Sequence, residues 1–364
     1  MPSPFSLRTF GRIPSGESIE AWTLYGAGGL VLETISYGAI VTRLLTPDSK
    51  GRLADVVLGF DSLERYLDND GYFGAMIGRL AGRIPNAHFR MDDKIYKLDP
   101  NDAPNHLHGG TRGFDRRIWT ATPIDNRNGD VSLRLTYRSP DGEEGYPGEL
   151  NVEVIYTVTK DNVFRIDSEA VADRPTPFGL THHSYFNLAG EAVGTIADHE
   201  IQIHAEKTIA VDQRMAPLGR LDPVNPRNDL RKPRTLSKVI AEAYQNHGDL
   251  YLIQRDGPAG EKTRLVPAAR LMHHGSGRVL EVFTTEMYLQ LYTGSGLDGS
   301  LTGKSGTLYG KHAGVCMECE GYPDGANVPS LGDAVLRPGQ PRRQTTLYAF
   351  SSTEANALST ESSL

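Results

Sequence analysis

Along this 364-residue chain, short runs alternate apolar and polar residues with a period of two, and this constrains the fold more than any other feature. Successive side chains of a strand point to opposite faces, so such runs are half-buried strands. Asn151-Val152-Glu153-Val154-Ile155-Tyr156-Thr157-Val158 is the clearest case. The same reading predicts strands over Leu30 to Tyr37, Ala39 to Leu45, Val131 to Tyr137, Leu150 to Val158 and Val163 to Val171. It predicts further strands over Glu200 to His204, Val279 to Thr285 and Tyr288 to Thr293. Turn clusters separate the runs: Asp141-Gly142-Glu143-Glu144-Gly145, Arg174-Pro175-Thr176-Pro177 and Asp256-Gly257-Pro258. Helical signals are confined to Asp61 to Leu67, with Asp61 or Ser62 as N-cap, and Thr235 to Tyr244. No βαβ rhythm is present, which argues against a doubly wound parallel sheet. The Pro-, Arg- and Asn-rich stretch Asp212 to Arg234 reads as a long surface excursion, a wall of a cleft rather than a linker. The expectation is one all-β domain over residues 1–364, a large antiparallel β-sandwich with few short helices and a frayed Ser-rich tail from Thr353.

Charge and composition exclude several classes of partner. The net charge of −7 argues against nucleic acid and anionic membranes, which require clustered Lys and Arg. No run of eighteen apolar residues occurs, and Met1 to Gly16 lacks the apolar core of a signal peptide. Only two cysteines, Cys316 and Cys319, are present, which fits a reducing, cytoplasmic setting. Their C-x-x-C spacing lies in a strand-like run, Gly314 to Glu320, where the two side chains point to opposite faces; two packing residues is the favoured reading over a redox pair or half a zinc site.

Four segments place reactive side chains among glycines and aromatics. In Gly78-Arg79-Leu80-Ala81-Gly82-Arg83-Ile84, close backbone packing at Gly and Ala points one arginine inward as a fixed donor, and Arg83 is the candidate. In Asn105-His106-Leu107-His108-Gly109-Gly110, a strand puts His106 and His108 on one face. A metal pair is disfavoured because glycines, not a carboxylate, follow. In Thr181-His182-His183-Ser184-Tyr185-Phe186-Asn187-Leu188, adjacent histidines point opposite ways, so one is structural; no G-x-S-x-G elbow surrounds Ser184. In Cys316-Met317-Glu318-Cys319-Glu320, Cys316, Glu318 and Glu320 share a face, and an ionised Glu318 in so apolar a run is costly without a purpose.

Taken in order, these segments resemble the aldose 1-epimerase (galactose mutarotase) family over nearly the whole chain. Tyr37-Gly38-Ala39 with Asp55-Val56-Val57-Leu58-Gly59-Phe60 is similar to its opening strands, and Gly78-Arg79 through Arg83-Ile84 to its arginine segment. Leu107-His108-Gly109-Gly110 with Gly113-Phe114-Asp115 and His183 to Gly190 resemble its two histidine motifs. Gln290-Leu291-Tyr292-Thr293-Gly294 resembles its glutamine strand, and Glu318 with Pro323-Asp324 its glutamate motif. The resemblance implies a β-supersandwich that needs no metal or organic cofactor, acts on a free monosaccharide and exists as a monomer or weak homodimer. It implies Glu318 as general base at the anomeric hydroxyl, ionised at neutral pH, and His183 as general acid at the ring oxygen. It implies His108 as a hydrogen-bonding support for the acid, and Arg83, Gln290 and Asp249 as holders of sugar hydroxyls.

The chain departs from the family pattern at sugar contacts. Gly82 stands where the family usually has Asn, Met287-Tyr288 where it has Pro-Gly, and Glu318-Cys319-Glu320 where it has Glu-Thr-Gln. Its Asp-His-Asn stretch is blurred in Asn246 to Leu252, where Asp249 is the best candidate aspartate. The expectation is retained chemistry with an altered sugar preference, and a Glu320 that raises the pKa of its pair with Glu318. Three alternatives are a non-catalytic carbohydrate-binding protein, an epimerase of sugar phosphates using Arg227, Arg231, Lys232 and Arg234, and an isomerase of another hemiacetal.

Overall fold

The computed structural model describes residues 3–68, 71–124, 129–242, 248–255 and 264–353, and in it the alternating runs are antiparallel strands. The Asp256-Gly257-Pro258 turn, Asn246-His247 and the tail beyond residue 353 lie outside the described residues.

Three large sheets make up an all-β sandwich. A five-stranded meander opens the chain: Phe5–Arg12, Ser18–Tyr25, Val31–Ile35, Val41–Pro47 and Leu53–Asp55, in sequence order. A nine-stranded sheet begins with the consecutive strands Thr120–Ile124, Val131–Ser139, Leu150–Val158 and Val163–Ala172. It then takes in Arg342–Ser352, Arg278–Thr284, Val266–His273, His199–Ile203 and Arg234–Thr235. The third sheet orders Pro217–Pro223, Ala205–Val211, Leu250–Ile253, Tyr288–Tyr292 and Cys316–Glu320.

The period of two decides how these layers meet. Val152, Val154 and Tyr156 of the nine-stranded sheet join Tyr251, Leu289, Leu291, Met317 and Cys319 of the third sheet in one buried cluster. On the other side of the same strands, Leu250, Gln290, Tyr292, Glu318 and Glu320 face a cavity. The Tyr348 hydroxyl reaches across the core and donates to the Met317 carbonyl at 3.1 Å.

Two short helices occur among the described residues. The first spans Leu63–Leu67, with Ser62 at the N-cap position but making no side-chain cap bond; Asp61 is drawn away by an ion pair with Arg43. The second is described over Leu236–Glu242; Thr235 precedes it as the end of a strand, paired with Glu200, and Ala243-Tyr244 of the expected helix lie outside the described residues. The stretch Asp212 to Arg234 is not a plain excursion. Asp212 Oδ1 accepts from the backbone of Arg214 and Ala216 at 2.8 and 2.9 Å, an Asx-type turn that folds Pro217–Pro223 back onto Ala205–Val211 as an edge strand. Among the described residues no helix is long and apolar enough to cross a membrane.

Arg79 is a cross-tie of this framework. Only 2% exposed, it donates to the carbonyls of Pro147 and Gly148 at 3.0 and 2.9 Å, and to that of Pro140 at 3.1 Å. Removing it orphans buried carbonyls, each at a cost of about 1–3 kcal/mol. Arg79→Met is therefore expected to lower the free energy of unfolding by about 3 kcal/mol or more, read from the urea midpoint at constant slope.

Candidate active site

The cavity, about 520 Å³, lies above the outer face of the third sheet. Register builds its floor: Gln290 pairs directly with Glu318 on one side and with Leu250 on the other, placing two polar side chains and a leucine in one row across three strands. The Gln290 side-chain amide donates to the carbonyls of Leu291 and Asp249 at 2.9 and 3.3 Å, which fixes its orientation. Asp249 lines the same cavity; its carboxylate accepts from Asn228 at 3.2 Å and has its pKa raised by burial.

His183 enters from the opposite wall. Its backbone is held from both sides, by His183 N–H to Ala75 O at 3.0 Å and Gly74 N–H to His183 O at 2.9 Å. His182 points the other way, to Tyr156, Phe164 and Tyr348 in the core and to Ser184 Oγ at 2.8 Å. The adjacent histidines thus divide as strand geometry requires, and His183 is the one in the cavity.

The expectation that His106 and His108 share a face fails. The strand stops at Leu107, and His108 has a left-handed φ of 54°. Gly109 has no side chain because one would run into the Gly78–Arg79 backbone. His106 is turned into the interior, with Nδ1 against the Asp99 carbonyl at 2.7 Å, while His108 faces the cavity. His108 is clamped to Gly82: its N–H donates to Gly82 O at 3.0 Å, and Gly82 N–H donates to His108 Nδ1 at 3.2 Å. An Nδ1 that accepts leaves the proton of the neutral ring on Nε2. Arg83 also lines the cavity, its Nε bonded to Asp102 at 2.8 Å. The two arginines four residues apart therefore separate into a framework residue, Arg79, and a cavity residue, Arg83.

His183 Nε2 and Glu318 Oε2 stand 3.6 Å apart, and ligating atoms of His108, His183 and Glu318 all lie within 4.8 Å of one another. That spacing suits a metal as well as a proton relay; the same three groups are those that acid–base ring opening requires. Glu318 is 2% exposed, and burial pushes its pKa up to about 8 despite the lowering influence of Arg83. Burial drops His183 to about 4, and holds His108 well below its usual value. The expectation that Glu318 is ionised at neutral pH does not hold in the empty cavity, because desolvation disfavours the charged form. Burial thus favours the neutral form of each group, the carboxyl protonated and the imidazole not.

All six residues singled out by sequence, Glu318, His183, His108, Arg83, Gln290 and Asp249, line this one cavity. Sequence reasoning missed Tyr72, Tyr185 and Tyr292, whose rings lie 5.7, 5.1 and 6.5 Å from that of His183. It also missed Asp102, and the contact of Cys316 Sγ with His183 Nδ1 at 3.6 Å. Tyr185 and Tyr292 sit inside the segments already marked; Tyr72 and Asp102 carry no local signal.

A buried carboxyl, two histidines and the Gln290–Glu318 pair thus meet in one cavity of an all-β sandwich. The profile of the aldose 1-epimerase family matches residues 20–349. The chain is 44% identical to human galactose mutarotase over 344 residues, 94% of this chain and 97% of that protein. It is 34% identical to the aldose 1-epimerase of Escherichia coli K12, covering 93% and 96% of the two chains. The solved GalM/aldose epimerase homologue from C. elegans superposes with a TM-score of 0.81 at 28% identity, over 90% of this chain and 97% of that one. The chain belongs to the aldose 1-epimerase family, a family of isomerases.

Burial keeps both cavity imidazoles neutral well below pH 6.5, and protonation follows only as pH falls through the lowered values. Ring ¹⁵N or ¹³C shifts of His183 are expected to stay constant from pH 7 to about 5 and to move near about 4; a transition near 6.5 would show a solvated ring.

Proposed function

We propose that the protein interconverts the α and β anomers of a free aldose by opening and reclosing the pyranose ring. The observation that carries this reading is the His183–Glu318 pair, 3.6 Å apart in a buried cavity, where burial raises the carboxyl and lowers the imidazole. Opening a cyclic hemiacetal needs a proton removed at O1 and one delivered at O5. Glu318 as carboxylate takes the O1 proton, the electron pair forms the C1 carbonyl, the C1–O5 bond breaks, and O5 takes the proton of the His183 imidazolium. Rotation about C1–C2 turns the other face of the carbonyl to O5, and the reverse transfers close the ring as the other anomer.

The proton count supports this scheme. The reactive form, carboxylate with imidazolium, carries the same single proton as carboxylic acid with neutral imidazole. The empty cavity favours the second arrangement, which is the one reached once the ring is open. Sugar hydroxyls and the Arg83 guanidinium provide the polar surroundings that return charge to Glu318 when substrate binds. The His108 Nε2–H is a donor for the oxygens near O5, and Arg83, Gln290 and Asp249 hold the remaining hydroxyls. These roles need no metal and no organic cofactor. A sugar-phosphate reading is weaker, because Arg231 and Arg234 of the basic loop are paired with Asp229 and Glu242. Residues 1–364 act in this reading as one domain, a cytoplasmic monomer or weak homodimer.

Polarimetry of freshly dissolved α-D-galactose, α-D-glucose and L-arabinose tests the proposal. Wild type is expected to accelerate the drift, and Glu318→Gln to slow it by about 10²–10⁴-fold, the usual worth of a positioned acid–base group. Sugar binding without acceleration would instead assign a binding protein. The singly protonated pair predicts kcat/KM that is flat at neutral pH. It falls below about 4, where His183 gains a second proton for the pair, and above about 8, where Glu318 loses the last. Dialysis against a chelator is expected to leave the rate unchanged; a loss restored by one divalent ion would give the His108–His183–Glu318 trio to a metal.

A further inference from the structure

The ring-opening scheme leaves unused one buried carboxyl that faces the same cavity. Glu320 is the last residue of the Cys316–Glu320 strand, two positions from Glu318 and on its face, and is 2% exposed. Its Oε2 is buried without a hydrogen-bond partner among the described residues. A buried polar atom left unsatisfied is costly, and such atoms in native proteins are satisfied by a partner that the empty protein lacks, water or ligand. Opposite Glu320 lies Gly82, whose φ of +78° and double clamp to His108 fix its backbone. A Cβ on Gly82 would lie 2.5 Å from Pro323 Cγ and 3.2 Å from Glu320 Oε1. Gly82 thus has no room for a side chain against Pro323, its backbone comes close to the Glu320 carboxyl, and Gly82, Glu320 and Pro323 all line the cavity.

We propose that Glu320 is a specificity-determining residue, a second carboxyl contact that meets one hydroxyl of the bound aldose in the part of the cavity lined by Gly82 and Pro323. This rests on the aldose 1-epimerase reading and deepens it. The groups facing Glu320 decide what kind of contact it makes. Glu318 lies on its own strand, Glu286 on the turn before the Tyr288–Tyr292 strand, and Arg83 on the strand beside Gly82. Burial first, then the two carboxyls, raise the Glu320 pKa well above the usual carboxylate range, and Arg83 opposes them. An uncharged carboxyl donates and accepts at once, as a sugar hydroxyl does, so the pair satisfies both partners without burying a charge. Glutamine has the same capacity; alanine has none.

The test is steady-state mutarotation by wild type, Glu320→Gln and Glu320→Ala, on the preferred aldose and on its singly deoxygenated analogues. Glu320→Ala is expected to raise KM about fivefold for the parent sugar, the worth of one neutral hydrogen bond, with kcat within about threefold. Glu320→Gln is expected to stay within about twofold of wild type near neutral pH. One deoxy analogue, the one lacking the contacted hydroxyl, should show the same KM for wild type and Glu320→Ala. A purely structural role would raise KM equally for every analogue, and that result, or an unchanged KM, overturns the proposal. Where Glu320→Ala fails to fold, Glu320→Gln decides: wild-type KM should climb with pH as the carboxyl ionises while that of the amide climbs less, and parallel profiles overturn the proposal. Wild type that accelerates no aldose at all would overturn the underlying activity instead, a different and separately visible failure.

Discussion

Met317 and Cys319 sit in the core between sheets, and their burial forces Glu318 and Glu320 onto the opposite face of a five-residue strand. Almost everything about the pocket depends on that register. A slip of one residue would bury the carboxyls among Val154, Tyr156 and Leu291 and expose a methionine to the cavity. The core therefore selects the register by apolar burial, and the acid–base chemistry inherits it. Gln290 is placed by the same rule, as the in-register neighbour of Glu318 on a strand whose Leu289 and Leu291 enter the same core.

The histidines are supplied from the far side of the cavity by irregular backbone, and this division has an electrostatic result. Strands bring carboxyls to a floor sealed from solvent, while turns bring imidazoles down onto it. Both kinds of group lose hydration, and both respond by favouring the neutral form. Glu318 rises to about 8 and His183 falls to about 4, so the two cross, and the empty cavity favours the protonated carboxyl beside the neutral imidazole, the arrangement that ring opening reaches. The surrounding tyrosines, Tyr72, Tyr185 and Tyr292, complete the exclusion of water around His183.

Much of the fold was legible in the sequence because period two is a local property: the runs at 131–137, 150–158 and 163–171 fall within the observed strands Val131–Ser139, Leu150–Val158 and Val163–Ala172. The six site residues were legible through their motifs, and their meeting in one cavity agrees with that reading. What could not be read was non-local. The turn at His108 depends on the Gly78–Arg79 backbone pressing against Gly109, thirty residues away in sequence. The Pro217–Pro223 edge strand depends on a single Asx turn at Asp212 within a stretch whose composition reads as loop. The neutral state of Glu318 depends on how completely the finished molecule excludes water, which no spacing of residues reveals.

The hairpin formed by Ala205–Val211 and Pro217–Pro223 gives the cavity an apolar rim of Ile209, Val211, Met215 and Pro217, contributed by the far edge of the sheet that carries Glu318. An edge hairpin has a neighbour on one side only, so its tip can lengthen, shorten or change character without disturbing the strands that hold Glu318 and Gln290. The architecture thus separates an inheritable reaction from an exchangeable mouth. Descendants of such a chain could explore new molecules at the entrance while the proton-transfer machinery beneath stays untouched.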